Sequence, residues 1–444
     1  MIRAKSNTTT NPRSSLFGMT RKLRDDCFLH DKDRLTHAEA LAILRERIAP
    51  VVGKVSVEIG HATGRFLAQE LTSPRPIPAH TNAAVDGYAF AFAYYDAQNG
   101  SQFPVTNRIA AGPAKVLDLS KGSAVRIFTG GTVPDALDTV VMQEDIDREI
   151  RDGVTFISVP AGLKKSANRR MAGEDVAQGK TLLEPGQRLR PQDIATAAST
   201  GLSALVCHAS LRVAILSTGD EIVRPGLPLG PGQVYDANAP MLRGMIQASG
   251  AQCDDLGVLS DERGEVERSL KAAAKAYDVV ITSGGASRGE EDHVVDAMDA
   301  LGELHMWQIA VKPGRPMAFG QIGDSLIMGL PGNPVAVFVC FLLYVRPVLV
   351  RLSGGHWPEP VRYPMRAAFE VPKKKTGRRE FWRGYLTQDD KGVAVGKFDR
   401  DGSGLISSLR AADGLIEIGE ETAGVKPGDS VQFLPLSQFG IASL

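Results

Sequence analysis

The sequence predicts a multidomain protein of the α/β plus β class, and three observations predict it. The chain has 444 residues, which at roughly 100–200 residues per domain is about two to four domains. One stretch, 207–353, alternates apolar strand-like runs with helical periods, the pattern of a doubly wound α/β domain. Two others, 74–173 and 354–444, carry short β-type runs between Gly and Pro. The first of these is entered and left by helix-forming sequence. It is read as a β-rich insertion that splits a helical linker domain into 21–73 and 174–206, with a polar, disordered tail at 1–20.

In chain order, THAEALAILRERI (36–48) has apolar residues at helical spacing behind a Thr cap. GHATGRFLAQELTSP (60–74) reads as a second short helix running into prolines 74, 76 and 78. The insertion follows with VDGYAF, AVRIFTGG, DTVVMQED and VTFISVP, and helix-forming sequence returns after MAGEDV. The α/β stretch opens with LRVAILSTG, then a helix from Asn238, a strand near 251–261, an amphipathic helix, and the buried strand DVVITSGGAS. LHMWQIAVKPG and LIMGLPGNP are further strands before a long apolar helix. Its greasiest part, 335–345, stops at Arg346 and Pro347 and is too short to span a bilayer, so it reads as a core helix. The last stretch is a C-terminal β domain, with short runs and no clear helix.

Composition narrows the function classes. Lys plus Arg is 51 and Asp plus Glu is 51, so the formal net charge is zero. That excludes a globally basic coat for nucleic acid and an acidic disordered tail protein. Cysteines 27, 207, 253 and 340 form no C-x-x-C pair, so no zinc ribbon or dithiol motif is expected. The N-terminus lacks the apolar core of a signal peptide. These readings predict a soluble, cytoplasmic chain with no membrane span. Gly is 46 of 444, above the usual ~7%, so much backbone must turn tightly or approach something closely.

In a doubly wound sheet, ligands bind beyond the carboxyl ends of the strands. Those ends carry Ser217-Thr218-Gly219-Asp220-Glu221, Ser260-Asp261, Ser283-Gly284-Gly285-Ala286-Ser287-Arg288-Gly289 with Asp292 after it, Lys312-Pro313-Gly314-Arg315-Pro316, and Leu330-Pro331-Gly332-Asn333-Pro334. Glycines and small hydroxyls let backbone N–H groups face an oxyanion. Lys312 and Arg315 add cationic donors, and Glu221, Asp261 and Asp292 supply the hard oxygens that suit magnesium carried by phosphates. Each element has a plainer reading as a turn, a cap or a solvated surface. Their coincidence at successive strand ends favours an anionic-ligand pocket. There is no G-x-x-x-x-G-K-[ST] motif and no clean G-x-G-x-x-G after a strand.

Seven stretches then converge in order: AAVDGYAF (83–90), RIFTGGTVPDALDTVVMQED (126–145), AGEDV (172–176), LSTGDEI (216–222), TSGGASRGEEDH (282–293), KPGRPMAFG (312–320) and LPGNPVAVF (330–338). Together they resemble the MoeA family, the molybdopterin molybdenumtransferases, which include the E domain of gephyrin. The resemblance covers about 25–440. It implies an elongated homodimer of four-domain subunits, with a molybdopterin-binding α/β domain and a C-terminal β-barrel-like domain. It also implies insertion of molybdate into adenylated molybdopterin, with Mg2+, releasing AMP and molybdenum cofactor. The implied partners are a molybdopterin adenylyltransferase upstream and molybdoenzymes or their chaperones downstream.

Carried over by motif, the implied catalytic residues are Asp86, Thr129, Asp175, Glu221, Asp261 and Asp292, with Asp261 and Asp292 as metal ligands. Ser287, Lys312, Arg315, Pro331, Pro334, Arg379 and Ser403 would bind substrate and molybdate. Thr218, Gly219, Gly284, Gly285 and Gly332 would line the cofactor. Gln308, Arg315 and Ala336 stand where relatives often carry Lys, Lys and Ser, and Arg288 is an added cation. Two other functions remain open at this point. One is a non-catalytic cofactor-binding or scaffold protein of the same fold. The other is a nucleotide pyrophosphatase built on the related α/β domain. His293, the tryptophans and the 373–380 charge run read as structural or solvated.

Overall fold

The run RVAILST folds as strand β1 (Arg212–Thr218) in a sheet covered on both faces. Val213 and Ile215 enter one apolar core and Ala214 and Leu216 the other. A strand buried on both sides cannot alternate polar with apolar, which is why the run reads as continuously apolar. The computed structural model describes residues 34–113, 118–285 and 293–441. The expected tail at 1–20, Cys27, Arg288 and the site residues Ser287 and Asp292 lie outside them.

The chain divides into two compact units. One comprises the N-terminal part to Val55, Gly64–Phe66 and His208 onward; the other comprises Ser56–Thr63 and Leu67–Cys207. The larger unit holds β1 with β2 (Gln252–Leu259), β3 (Val279–Ser283), β4 (Glu303–Gln308), β5 (Pro316–Ile322) and β6 (Ser325–Leu330). They form one six-stranded sheet in the order β2-β1-β3-β6-β5-β4. The pairs β1–β2, β1–β3 and β3–β6 are parallel. β5 is antiparallel to both of its neighbours, so the doubly wound sheet is mixed and not parallel throughout. The reason is local: residues 323–324 join β5 to β6 in a two-residue turn, with Gly323 at φ +61°. β4 therefore runs in the same sense as β6, and its carboxyl end, Gln308, lies at the same edge of the sheet as the other strand ends.

Helices cover both faces. Arg263–Ala276 supplies Val266, Leu270 and Ala273 to one core, and His293–Leu301 adds Val294, Ala297 and Met298. On the other face lie Asn238–Ala248, His37–Arg47 and the long helix. Thr36 caps the His37 helix in a complete capping box with Glu39. The long apolar helix continues past Arg346 and Pro347, where its greasiest part ends, and runs Pro334–Leu352, 19 residues. A proline in a helix interior removes an N–H and crowds the carbonyl four residues back. Here a π-helical turn, Phe341–Val345, immediately precedes Arg346–Leu352 and loosens the ladder where Pro347 needs room. The helix is apolar all round because it is buried all round, between the sheet and the C-terminal strands.

Those strands form a second six-stranded sheet from Val311–Lys312, Arg379–Asp389, Gly414–Ile418, Ser430–Pro435 and Tyr363–Arg366, with Gly392–Lys397 paired to Arg379–Asp389. Phe381, Leu415 and Leu434 join Val337, Phe341 and Tyr344 in one core.

The smaller unit is β-rich, as expected. Its six-stranded sheet runs Thr139–Met142, Gly87–Phe90, Ala124–Ile127, Ser101–Ile109, Val154–Val159, Asp147–Arg151. The expected helix at 60–74 is absent. A single 3-10 turn, Ile59–His61, is followed by Gly64 at φ +80°, and Leu67 and Ala68 spend their N–H groups on the carbonyls of Gln187 and Val206. Long-range pairing wins over local helix propensity here. The linker region is thus mixed, with the helix Pro191–Ser199 beside short strands. The described cysteines, Cys207, Cys253 and Cys340, are buried.

Candidate functional site

The site edge is built by what each strand does as it leaves the sheet. β1 ends in Thr218 and Gly219, and β3 in Gly284, whose φ is +96°. A Cβ on Gly284 would come 2.8 Å from Thr218 Oγ1, so the two strand ends meet only because residue 284 has no side chain. Gly284 N–H donates to the Leu330 carbonyl at 3.1 Å, which ties the end of β3 to that of β6. Asp220 and Asp261, at the ends of β1 and β2, cross-link reciprocally. Asp220 N–H donates to Asp261 Oδ2 at 3.3 Å and Asp261 N–H to Asp220 Oδ1 at 3.1 Å. Each carboxylate keeps a second oxygen free of those bonds. Glu221 is exposed and folds back over Gly219. Among the described residues no group of three metal-ligating side chains forms.

Sequence reasoning missed the polar network beneath this edge. Asp236 is 3% exposed. It accepts from Ser217 Oγ at 2.6 Å and from the N–H groups of Asn238 and Ala239 at 3.1 and 3.0 Å, and it pairs with Arg224 Nη1 at 3.4 Å. Arg224 also binds Asp255. Asn238, expected as the helix cap, is buried instead. Its Nδ2 donates to Ser283 Oγ at 2.9 Å and to the Gly332 carbonyl at 2.7 Å, tying the helix start to the ends of β3 and β6. The available signal was Asp236 standing just ahead of the helix, a position where a side-chain oxygen satisfies orphan N–H groups.

On the C-terminal side, Pro331, Gly332 and Pro334 form the turn from β6 into the long helix. Val335 N–H, in the helix's first turn, donates to the Ser403 carbonyl at 2.9 Å, so the serine-bearing loop seats on that helix start. Lys312 pairs in register with Glu380, and its Nζ lies 3.9 Å from Glu380 Oε2. Gly314, at φ +98°, packs against Cys340 so closely that a Cβ would overlap the sulfur. Arg379 is held more tightly than expected. Its Nε and Nη2 donate to Glu420 and its Nη1 to Glu417 at 2.6 Å. Burial works to lower its pKa, and these carboxylates outweigh that and leave it raised.

Arg315 differs. Its Nη2 donates to Gln308 Oε1 at 2.9 Å, a neutral partner, so its charge stays available to an anion. The two departures noted in the sequence therefore touch each other. Gln308→Ala is expected to raise the KM for the oxyanion about threefold with kcat little changed, because a lost hydrogen bond to an exposed cation loosens it without removing its charge. Steady-state kinetics against oxyanion concentration checks this.

In the smaller unit, Asp86 and Thr129 are in direct contact. Asp86 Oδ1 accepts both the Thr129 N–H and its hydroxyl at 2.8 Å. Those bonds, with a smaller share from Arg126, hold the carboxyl below its ordinary pKa. Asp175 is exposed in a separate loop, its N–H on the Ile77 carbonyl at 3.1 Å.

An oxygen-rich, glycine-lined edge with cations to one side, over the carboxyl ends of a twofold-covered sheet, defines an α/β protein that binds an anionic ligand. Models of the MoeA N-terminal region (domain I and II), a probable molybdopterin binding domain and the MoeA C-terminal region (domain IV) match residues 35–201, 214–351 and 365–436. A molybdopterin molybdenumtransferase of Haemophilus influenzae is 35% identical over 383 residues, covering 86% of this chain and 93% of that protein. The Bacillus subtilis one is 30% identical, covering 83% and 87%. Two crystal structures of the molybdopterin biosynthesis MoeA protein from Pyrococcus horikoshii superpose with TM-scores of 0.76 and 0.78 at 29% and 26% identity. Each covers 91% of this chain, and the matches span 99% and 100% of those chains. The chain belongs to the MoeA family of molybdopterin molybdenumtransferases.

Proposed function

We propose that the chain inserts molybdate into adenylated molybdopterin and releases AMP, forming molybdenum cofactor. Family membership supports the reaction class. The local observation that carries it is Arg315, whose charge meets only a neutral amide among the described residues, three residues beyond Lys312. An oxyanion supplies the counter-charge that the protein leaves out. In this reading Lys312, Arg315, Ser287, Arg379 and Ser403 hold molybdate, and Pro331 and Pro334 shape the turn beside it. Thr218, Gly219, Gly284, Gly285 and Gly332 face the phosphate-bearing ligand, and Asp86, Thr129, Asp175 and Glu221 take catalytic roles.

The free oxygens of Asp220 and Asp261 fit magnesium, which commonly takes one or two carboxylates and completes its shell with phosphate and water. Asp261 and Asp292 are the proposed ligands, with Asp220 beside Asp261. When bound, magnesium offsets charge on the phosphates as the anhydride breaks. The protein's own residues orient the oxyanion and keep the strand ends rigid through Asp236 and Asn238.

The same reading makes the chain a cytoplasmic homodimer of four-domain subunits, with the boundaries expected from sequence. It is fed by a molybdopterin adenylyltransferase and hands cofactor to molybdoenzymes or their chaperones. Burial of the apolar Pro334–Leu352 helix within a core supports a chain without a membrane span there. Purified protein given molybdate, magnesium and adenylated molybdopterin is expected to release AMP and yield cofactor that activates an apo-molybdoenzyme. Tight cofactor binding with AMP at background would instead favour a non-catalytic carrier.

A further inference from the structure

Three neighbouring strands of the smaller unit place Tyr88, Arg126 and Arg108 side by side. Tyr88 is the register partner of Arg126, and Arg126 that of Arg108. Like charges directly opposite each other across strands are destabilising. The sheet accommodates them through one ring. The guanidinium carbons of Arg108 and Arg126 lie 4.7 and 4.8 Å from the centroid of Phe128, and Arg126 also lies 4.8 Å from the Tyr88 ring.

Stacking uses the faces of a guanidinium and leaves its N–H edge for hydrogen bonds in plane. Arg126 spends part of its edge on the Gly87 carbonyl, at 3.2 Å, and on Gln143 Oε1, both neutral. Neither arginine forms an ion pair among the described residues, although Arg379, Arg224, Arg362 and Arg366 each have a carboxylate. Asp86, whose carboxyl feels the charge of Arg126, already has one oxygen on Thr129. Glu144 is spent in part on Gln143 Nε2. Two forks are therefore pre-oriented by aromatic rings, held next to each other at an electrostatic cost, and left without an anion.

We propose that Arg108, Phe128 and Arg126 form an anion-binding platform on the β-rich unit that takes a phosphate group, free or as an ester. The two forks grip the phosphate oxygens, and Thr129 and Asp86 border it. The platform is built from the smaller unit alone, and although the molybdate-transfer reading makes Asp86 and Thr129 catalytic, the anion binding proposed for Arg108 and Arg126 does not depend on it.

The test uses the full-length protein at low ionic strength, titrated in parallel with inorganic phosphate, pyrophosphate and AMP. Amide hydrogen exchange is followed in the segments 84–90, 105–109 and 124–131. Saturable protection confined to those segments is expected, weakening as salt rises. Protection by all three ligands points to the phosphate alone, and protection by AMP only points to an ester; both support the platform. Arg108→Gln, on an exposed side chain, is expected to weaken the apparent affinity about tenfold with the thermal melt unchanged. Arg126→Gln is expected to abolish the protection. Absence of saturable protection in the natural chain, or equal protection in the Arg108→Gln protein, overturns the proposal. Because AMP release is measured independently, failure here leaves the enzymatic reading intact, and the converse also holds.

Discussion

Asp236→Ala is expected to lower unfolding free energy by about 3–5 kcal/mol and to abolish AMP release even where the protein remains folded. The magnitude comes from what the carboxylate leaves behind. Ser217 Oγ, the first two N–H groups of the Asn238–Ala248 helix and Arg224 all lose an acceptor at a position closed to water. A lost helix-start acceptor alone costs about 1 kcal/mol, and breaking one side of a buried ion pair costs several times that. Arg224 keeps Asp255, which sets the upper bound. The functional loss follows through Asn238, because the helix start that Asp236 anchors carries the bonds to Ser283 and Gly332. Asp236→Asn preserves the shape and one acceptor oxygen, so it should retain more stability than alanine. Urea unfolding and AMP release measured on the same preparations check both. A loss below ~1 kcal/mol for alanine would mean that water replaces the carboxylate and the network is not sealed.

The second large effect is one of pH. His37 is buried, its Nδ1 paired with Tyr344 Oη at 2.8 Å and its Nε2 without a partner among the described residues. Burial, and then the charges of Arg379 and Arg362, push its pKa from 6.5 down to about 3; Glu420 opposes them weakly. The folded state therefore refuses a proton that the unfolded state accepts. The stability contributed by neutral His37 is present in full above about pH 6.5. It falls as pH drops from there towards 3, by up to about 1.4 kcal/mol per pH unit. Other groups add their own slopes, so the decisive quantity is a difference. His37→Asn keeps an acceptor for Tyr344 and removes the titration. Its unfolding free energy, measured from pH 7 to 4, should fall less steeply than that of the natural chain, by up to one proton's worth of slope. Equal slopes would mean that His37 takes up its proton in the folded state.

Much of the α/β core was legible because a strand covered on both faces has to be apolar throughout, as 213–216 are. The strand ends were legible because a close approach such as Thr218 to Gly284 leaves glycine as its trace. Burial of one carboxylate leaves no period, so nothing in the apolar pattern singled out Asp236. The antiparallel β5 was hidden because a sheet's direction depends on a two-residue turn and not on the apolar pattern. The ties on Arg379 come from Glu417 and Glu420, some 40 residues away, and proximity across that separation is set by strand register. Gln308 and Arg315 could be noticed singly as departures. That they touch one another follows from the pairing of Gln308 with Pro316. The 60–74 helix failed for a related reason, since Leu67 and Ala68 found partners at 187 and 206.

The long helix has a consequence for how this unit can be divided. Phe341 and Tyr344 are packed from one side by the α/β sheet and from the other by Phe381, Leu415 and Leu434 of the C-terminal strands. The border near residue 353 is thus a border in the chain and not in the hydrophobic interior. The α/β region is not an interchangeable cassette: severed there, it would carry its greasiest surface outward. Nor is the face turned away from this helix spare surface, because Trp382, Ile416 and Phe433 close a second apolar core there.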